Sequence, residues 1–232
     1  LLGLVKKVVL ADTMAPLVQT AFADPDSQGS VTLAIGVLAF AVQIYGDFSG
    51  YSDIARGSSR LLGIELVVNF RQPYLSENIT VFWRRWHISL SDWLRDYLYI
   101  PLGGNRGGQV KTYRNLMLTM LIGGLWHGAS WNFVVWGGLH GIYLAIHRLL
   151  RDRVPAREHP PMPSRVAAWA FTFTLVNLAW VFFRADSFDQ AFGVVSGLLA
   201  LRGGMPPLED LLLILFGLGG TAVVDLLLQS RL

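Results

Sequence analysis

No cysteine occurs in the 232 residues, which excludes a disulfide framework, a thiolate metal site and a cysteine nucleophile. Charge is scarce too. Only 15% of residues are Asp, Glu, Lys or Arg, against roughly 25% in an average soluble domain, and mean hydropathy is +0.44. A chain this poor in charge, with 53% hydrophobic residues gathered in long runs, is built for a bilayer. No Walker loop, Gly-x-Ser-x-Gly elbow or His-Glu-x-x-His pair occurs, so ATPase, serine-hydrolase and zincin chemistry lack their motifs. The chain opens on Leu1 without the charged start and cleavage site of a signal peptide, and is read as the continuation of a longer protein. Net charge is +3 with a pI near 9.4, yet no basic module interleaved with aromatics accompanies it. A membrane lipid surface, and no nucleic acid, is the expected partner of that charge.

A hydrocarbon core needs roughly 20 apolar residues per helix, and four regions offer such a run: 31–45, 116–146, 166–183 and 208–228. The first is short unless it continues past Asp47. The second carries no Asp, Glu, Lys or Arg and is too long for one crossing. Its glycine pairs, Gly123-Gly124 and Gly137-Gly138, predict a broken or re-entrant helix followed by a full span. Residues 148–165, rich in Arg and Pro, read as an extramembrane loop. The expected fold is all-α, a polytopic transmembrane helical bundle with interfacial and re-entrant helices, in one membrane domain over 1–232.

Residues 56–114 carry nine Lys or Arg against four acids, which places them on the cytoplasmic side by the positive-inside tendency. Within them Phe82, Trp86, Leu90, Trp93 and Tyr97 recur every three or four residues. That spacing predicts one amphipathic interfacial helix, ending at Ile100-Pro101 and the glycine-rich turn around Asn105 and Arg106.

Few residues can carry chemistry. An ionisable group inside a span is a functional-site hypothesis by default, and His127, in Gly123-Gly124-Leu125-Trp126-His127-Gly128, has small neighbours that leave room for a substrate. A buried neutral imidazole can take a proton from an attacking hydroxyl; a helix–helix hydrogen bond is the plainer use of such a ring. His87 lies at the boundary of the interfacial helix's two faces, suited either to a membrane funnel or to the headgroup layer. His140 and His147, two helical turns apart, share a face that in principle suits a metal or haem, but packing or the interface accounts for them and no complementary ligands are visible. His159 falls in the Pro-rich loop. Asp47 and Asp53 stand near a membrane boundary with Arg56 close by, either as helix-end ion pairs or as a tunnel wall.

Three stretches taken together resemble the membrane-bound O-acyltransferase family: Phe82-Trp83-Arg84-Arg85-Trp86-His87-Ile88-Ser89-Leu90-Ser91, Trp93 to Arg106, and Gly123 to Gly128. They are most similar to its bacterial alginate O-acetyltransferase branch, akin to the D-alanyl transfer protein of teichoic acids. The motif Gly46-Asp47-Phe48-Ser49-Gly50-Tyr51 and the opening Lys6-Lys7-Val8-Val9-Leu10-Ala11-Asp12 extend the resemblance over nearly the whole chain. It implies a multi-pass protein of the bacterial inner membrane, with further helices upstream. It also implies an acyl thioester donor such as acetyl-CoA arriving from the cytoplasm, no tightly bound cofactor and no metal. The acceptor is a polysaccharide hydroxyl, reached directly or through a periplasmic acetyltransferase-type partner protein. On the same resemblance His127 is the essential histidine and general base, with transient acylation of its ring left open. His87 is the second active-site position, orienting the donor or stabilising the oxyanion. Asp47, Trp86, Trp126, Asn105 and Arg106 are the expected tunnel residues. The reading from another class is a transporter or export subunit that uses these histidines and Asp47 as a proton or substrate path.

Overall fold

The computed structural model describes residues 1–153 and 160–229. Their regular structure is helical, without a strand, in the order α1 (Leu2–Leu4), a π-helical turn (Val5–Ala11), α2 (Asp12–Ala23), α3 (Ser30–Leu61), a 3-10 turn (Pro73–Leu75), α4 (Ile79–Arg85), α5 (Ile88–Leu94), a second π-helical turn (Arg95–Tyr99), α6 (Gln109–Trp126), α7 (Trp131–Arg153), α8 (Met162–Arg184), α9 (Phe188–Leu199) and α10 (Leu208–Gln229). Four of them, α3, α7, α8 and α10, are long and apolar enough to cross a membrane. The described residues fall into two compact units, one of 1–67 with 184–232 and one of 68–183.

In the first unit α3 is the spine. It runs unbroken past Asp47 to Leu61, so the first apolar run is the start of a helix far longer than the run itself. Length is possible because its charges are matched by the opening segment. Lys6, 2% exposed, pairs with Asp53 at 2.7 Å, and Lys7 bridges Asp47 and Asp12 at 2.7 Å each. Those carboxylates hold the Lys7 ammonium above its ordinary pKa. The phenol of buried Tyr45 donates to Asp225 of α10, closing the unit on its C-terminal helix. Asp47 is thus half of an ion pair, made in the middle of α3 and not at a helix end.

In the second unit α6 and α7 form an antiparallel pair, and here the glycines behave differently from the expectation. Both helices run straight through Gly123-Gly124 and Gly137-Gly138; the break falls at 127–130, after Trp126, where Ser130 Oγ accepts the Asn132 N–H. The glycines serve close approach instead. A Cβ on Gly124 would stand 2.2 Å from the Phe133 carbonyl oxygen, and one on Gly137 2.2 Å from that of Met120. Small residues let helix backbones touch in this way, where apolar driving force is weak. The two members of the second pair should therefore respond oppositely. Gly137→Ala must push the helices apart and is expected to cost about 1–3 kcal/mol or more. At Gly138 a methyl meets only Leu121 Cδ2 at 3.5 Å, so Gly138→Ala should be neutral or stabilise by about 0.5–1 kcal/mol through helix propensity. Thermal inactivation of the two variants in one detergent checks this, and equal shifts would remove the contact argument.

The expected loop at 148–165 is shorter than its composition suggested, since α7 continues to Arg153 and α8 begins at Met162. His159 lies outside the described residues.

Candidate active site

The expected single amphipathic helix is two helices joined by a corner. α4 is capped by Asn78, whose side chain accepts the Val81 N–H at 2.9 Å, and stops at Arg85. Trp86 is extended and His87 is left-handed, with φ of 42°, before α5 starts at Ile88. A non-glycine residue there costs on the order of 1 kcal/mol or more and persists only where its surroundings enforce it. They do. The Ile88 N–H donates to the Asn69 carbonyl, Ser89 donates to Asn69 Oδ1 through both its N–H and its hydroxyl, and Ser91 Oγ donates to the Trp86 carbonyl.

The reason for the corner is packing. Phe82 and Trp86 are buried, and Trp86 lies against Phe70, Tyr74, Phe82 and Trp180. Trp93 and Tyr97 are exposed and stacked on each other at 5.7 Å. One straight helix would spread these rings along a single face, whereas a corner sends the first pair inward and the second outward. Trp86 is therefore core that anchors the corner rather than an open wall.

His127 closes α6, its N–H bonded to the Gly124 carbonyl. Its ring stands among Trp126, Trp136 and Phe183, with centroids 5.0–5.1 Å away, and Phe133 at 6.2 Å. Among the described residues no protein group hydrogen-bonds that ring. A helix–helix hydrogen bond thus does not account for it: the ring is walled by aromatics, half-buried, and both nitrogens remain for an incoming group.

Trp126 joins the two histidines. Its ring is 6.5 Å from that of His87 and 5.0 Å from that of His127. The rings of His87 and His127 thus face one exposed indole within the second unit, close enough that a charge on His127 is felt at His87. Burial first, and His127 second, push the His87 pKa down to about 4. A depressed histidine favours the neutral ring, so the fold loses stability as pH falls from about 6.5 towards 4 and the unfolded chain gains a proton that the site refuses. Conversely, His87 stays uncharged through pH 5–7. Any activity that needs neutral His87 should show no inflection from it in that range; in a pH–rate profile, one near 6.5 that vanishes in His87→Asn would contradict this.

Other sequence candidates are placed elsewhere. Asn105 Oδ1 accepts from Tyr99 Oη at 2.7 Å and from Arg148 at 2.8 Å, tying the glycine-rich turn to α7. Arg106 is exposed in that turn. Asp47 belongs to the first unit. No group of three metal-ligating side chains occurs among the described residues. His147 Nδ1 instead pairs with Thr80 Oγ1 at 3.0 Å. Asn69 and Ser89, which hold the corner, are 20 positions apart with no spacing signal to join them.

Beside the corner lies a cavity of about 340 Å³, lined by Thr80, Trp83, Ile88, Leu94, Met120 and Leu144 among others. Arg84 is on its wall, exposed and without a carboxylate partner among the described residues.

Residues 1–184 match the sequence profile of the membrane-bound O-acyltransferase family. The chain belongs to that family. It is 51% identical to the probable alginate O-acetylase of Azotobacter vinelandii over 199 residues, 85% of this chain and 38% of that protein. To the peptidoglycan O-acetyltransferase of Helicobacter pylori it is 47% identical over 202 residues, 87% and 38% of the two chains. The teichoic acid D-alanyltransferase of Streptococcus thermophilus is 34% identical over 158 residues, 63% of this chain and 38% of that one. The chain spans about 38% of the length of these curated relatives. Membership in a membrane-bound family agrees with four helices of membrane-crossing length and makes this a multi-pass membrane protein.

Proposed function

We propose that this chain carries the reaction centre of an O-acyltransferase of the bacterial inner membrane, moving an acetyl group from a cytoplasmic thioester towards hydroxyls of an exported glycan. The observation that carries the reading is the pair His87 and His127 across Trp126, one on a strained, clamped corner and the other with a ring that no protein group hydrogen-bonds among the described residues. Relatives named for alginate and for peptidoglycan share O-acetylation of a saccharide, which favours a glycan acceptor such as alginate. Delivery through a periplasmic partner protein is part of the same proposal.

In the proposed step a hydroxyl oxygen attacks the thioester carbonyl carbon while His127 accepts the hydroxyl proton. His87, neutral and able to donate one N–H, steadies the oxyanion of the tetrahedral intermediate. Collapse breaks the C–S bond, and the thiolate leaves as a thiol with the proton returned from His127. The cavity that Ile88 lines, directly after His87, offers a place for the donor's thiol arm, and Arg84 supplies a cation for a phosphate-bearing donor. The test is transfer of labelled acetyl from acetyl-CoA to an alginate oligomer by the full-length protein in membranes with its periplasmic fraction. Glycan-bound label that requires the protein is the expected result. Export of unmodified glycan with no acyl transfer under any donor would favour the transporter reading instead.

A further inference from the structure

His140 is wholly buried and has been assigned no part in the chemistry. Its surroundings are specific. The Trp83 indole N–H, on α4, donates to its Nδ1 at 3.3 Å, and Phe82, also on α4, stacks on its ring at 6.0 Å and 7°. An indole nitrogen can only donate, so Nδ1 must be the bare nitrogen and Nε2 carries the hydrogen, buried there and without a hydrogen-bond partner among the described residues. Two turns on, His147 meets Thr80, which gives α4 a second polar contact with α7. α4 is only seven residues long and ends at the corner, with Trp83 four positions before His87. On α7, Trp136 lies one turn before His140 and packs edge-on against His127 at 5.1 Å. One face of α7 therefore touches His127 with one residue and holds the helix leading to His87 with the next.

We propose that His140 is a positioning residue: a neutral imidazole in the Nε2–H form whose bond to Trp83 sets the register of α4 on α7, and so the placement of His87 relative to His127. The inference rests on the two-histidine site proposed above. An apolar side chain fills the same space but leaves the N–H of half-buried Trp83 without its acceptor, a loss an isolated apolar packing role would not incur. With that bond gone the polar tie of α4 to α7 is left only at Thr80, at the end of α4 remote from His87, so the end that leads to the corner can shift, and misplacement of a reacting group by about 1 Å costs on the order of a hundredfold in rate.

The experiment compares His140→Leu, His140→Asn, Trp83→Phe and the double variant Trp83→Phe/His140→Leu in full-length protein, reading kcat, KM and the amount of protein in the membrane. Asn presents an amide oxygen near the position of Nδ1 and keeps an acceptor for the indole. Expected are a fall in kcat of about ten- to a hundredfold for His140→Leu and Trp83→Phe at little-changed KM, most of the wild-type kcat for His140→Asn despite its smaller volume, and a double variant no worse than the worse single one. The opposite ranking, with Leu near wild type and Asn impaired, marks a space-filling role and overturns the proposal. So does additivity in the double variant. If His140→Leu does not reach the membrane, Trp83→Phe with His140→Asn decides by the same criteria. Wild-type transfer that survives His127→Gln would instead sink the two-histidine site, and the positioning role with it.

Discussion

His127→Gln is expected to abolish nearly all acyl transfer, a loss of at least about a hundredfold and up to about ten-thousandfold, while the protein inserts at wild-type levels. Hydrogen bonding and proton transfer part company in this variant. Glutamine fills much of the space between Trp126, Trp136 and Phe183 and offers both an acceptor and a donor, but its amide cannot carry a proton from hydroxyl to thiolate. Because no protein group bonds the native ring among the described residues, removing the imidazole breaks no internal hydrogen bond, and folding should suffer little. His147→Ala is the control: it loses a contact to Thr80 without touching the proposed proton path, and its kcat should stay within a few-fold of wild type. The measurement is initial rate of labelled acetyl transfer, normalised to membrane-inserted protein. Normal insertion with wild-type transfer in His127→Gln would remove the general-base role outright.

The legible part of this protein was what periodicity and motif order encode. Long apolar runs place α7, α8 and α10, since a bilayer favours them. His127 stands out in the sequence because an imidazole beside glycines in an apolar run can serve chemistry as well as a helix–helix hydrogen bond. What periodicity could not show is where tertiary packing overrides it. The steps from Phe82 to Tyr97 fit one helix, yet burying Phe82 and Trp86 while exposing Trp93 and Tyr97 required a turn at His87. Glycine pairs read equally as breaks or as contacts, and only the facing carbonyls of Phe133 and Met120 settle them as contacts. Spacing points to Arg56 beside Asp53, a pair found at 4.0 Å, but not to Lys7 and Lys6, which are some 40 or more positions from Asp47 and Asp53 and joined to them by the fold alone. The link of His140 to Trp83 spans 57 positions with no motif, so spacing alone leaves that histidine to packing or the interface.

Variants of His87 should separate a backbone requirement from a chemical one. The residue does two things at once: it takes φ of 42° at the corner, and in the proposed mechanism it donates to the oxyanion. Glycine meets the first demand without the second. Asparagine meets both in part, since it is enriched in the left-handed region and keeps an N–H donor. Valine meets neither, because β-branching makes the left-handed region an outlier. If the chemical role dominates, His87→Asn should keep the larger share of activity, His87→Gly should fall by about a hundredfold or more in kcat with near-normal thermal stability, and His87→Val should lose both activity and stability. Should His87→Gly instead equal wild type in kcat while His87→Val alone fails, the left-handed corner is all that this position contributes. The oxyanion would then need its donor elsewhere, and the N–H groups of Trp86 and Ser89 are poor candidates, being already bonded to Phe82 and Asn69.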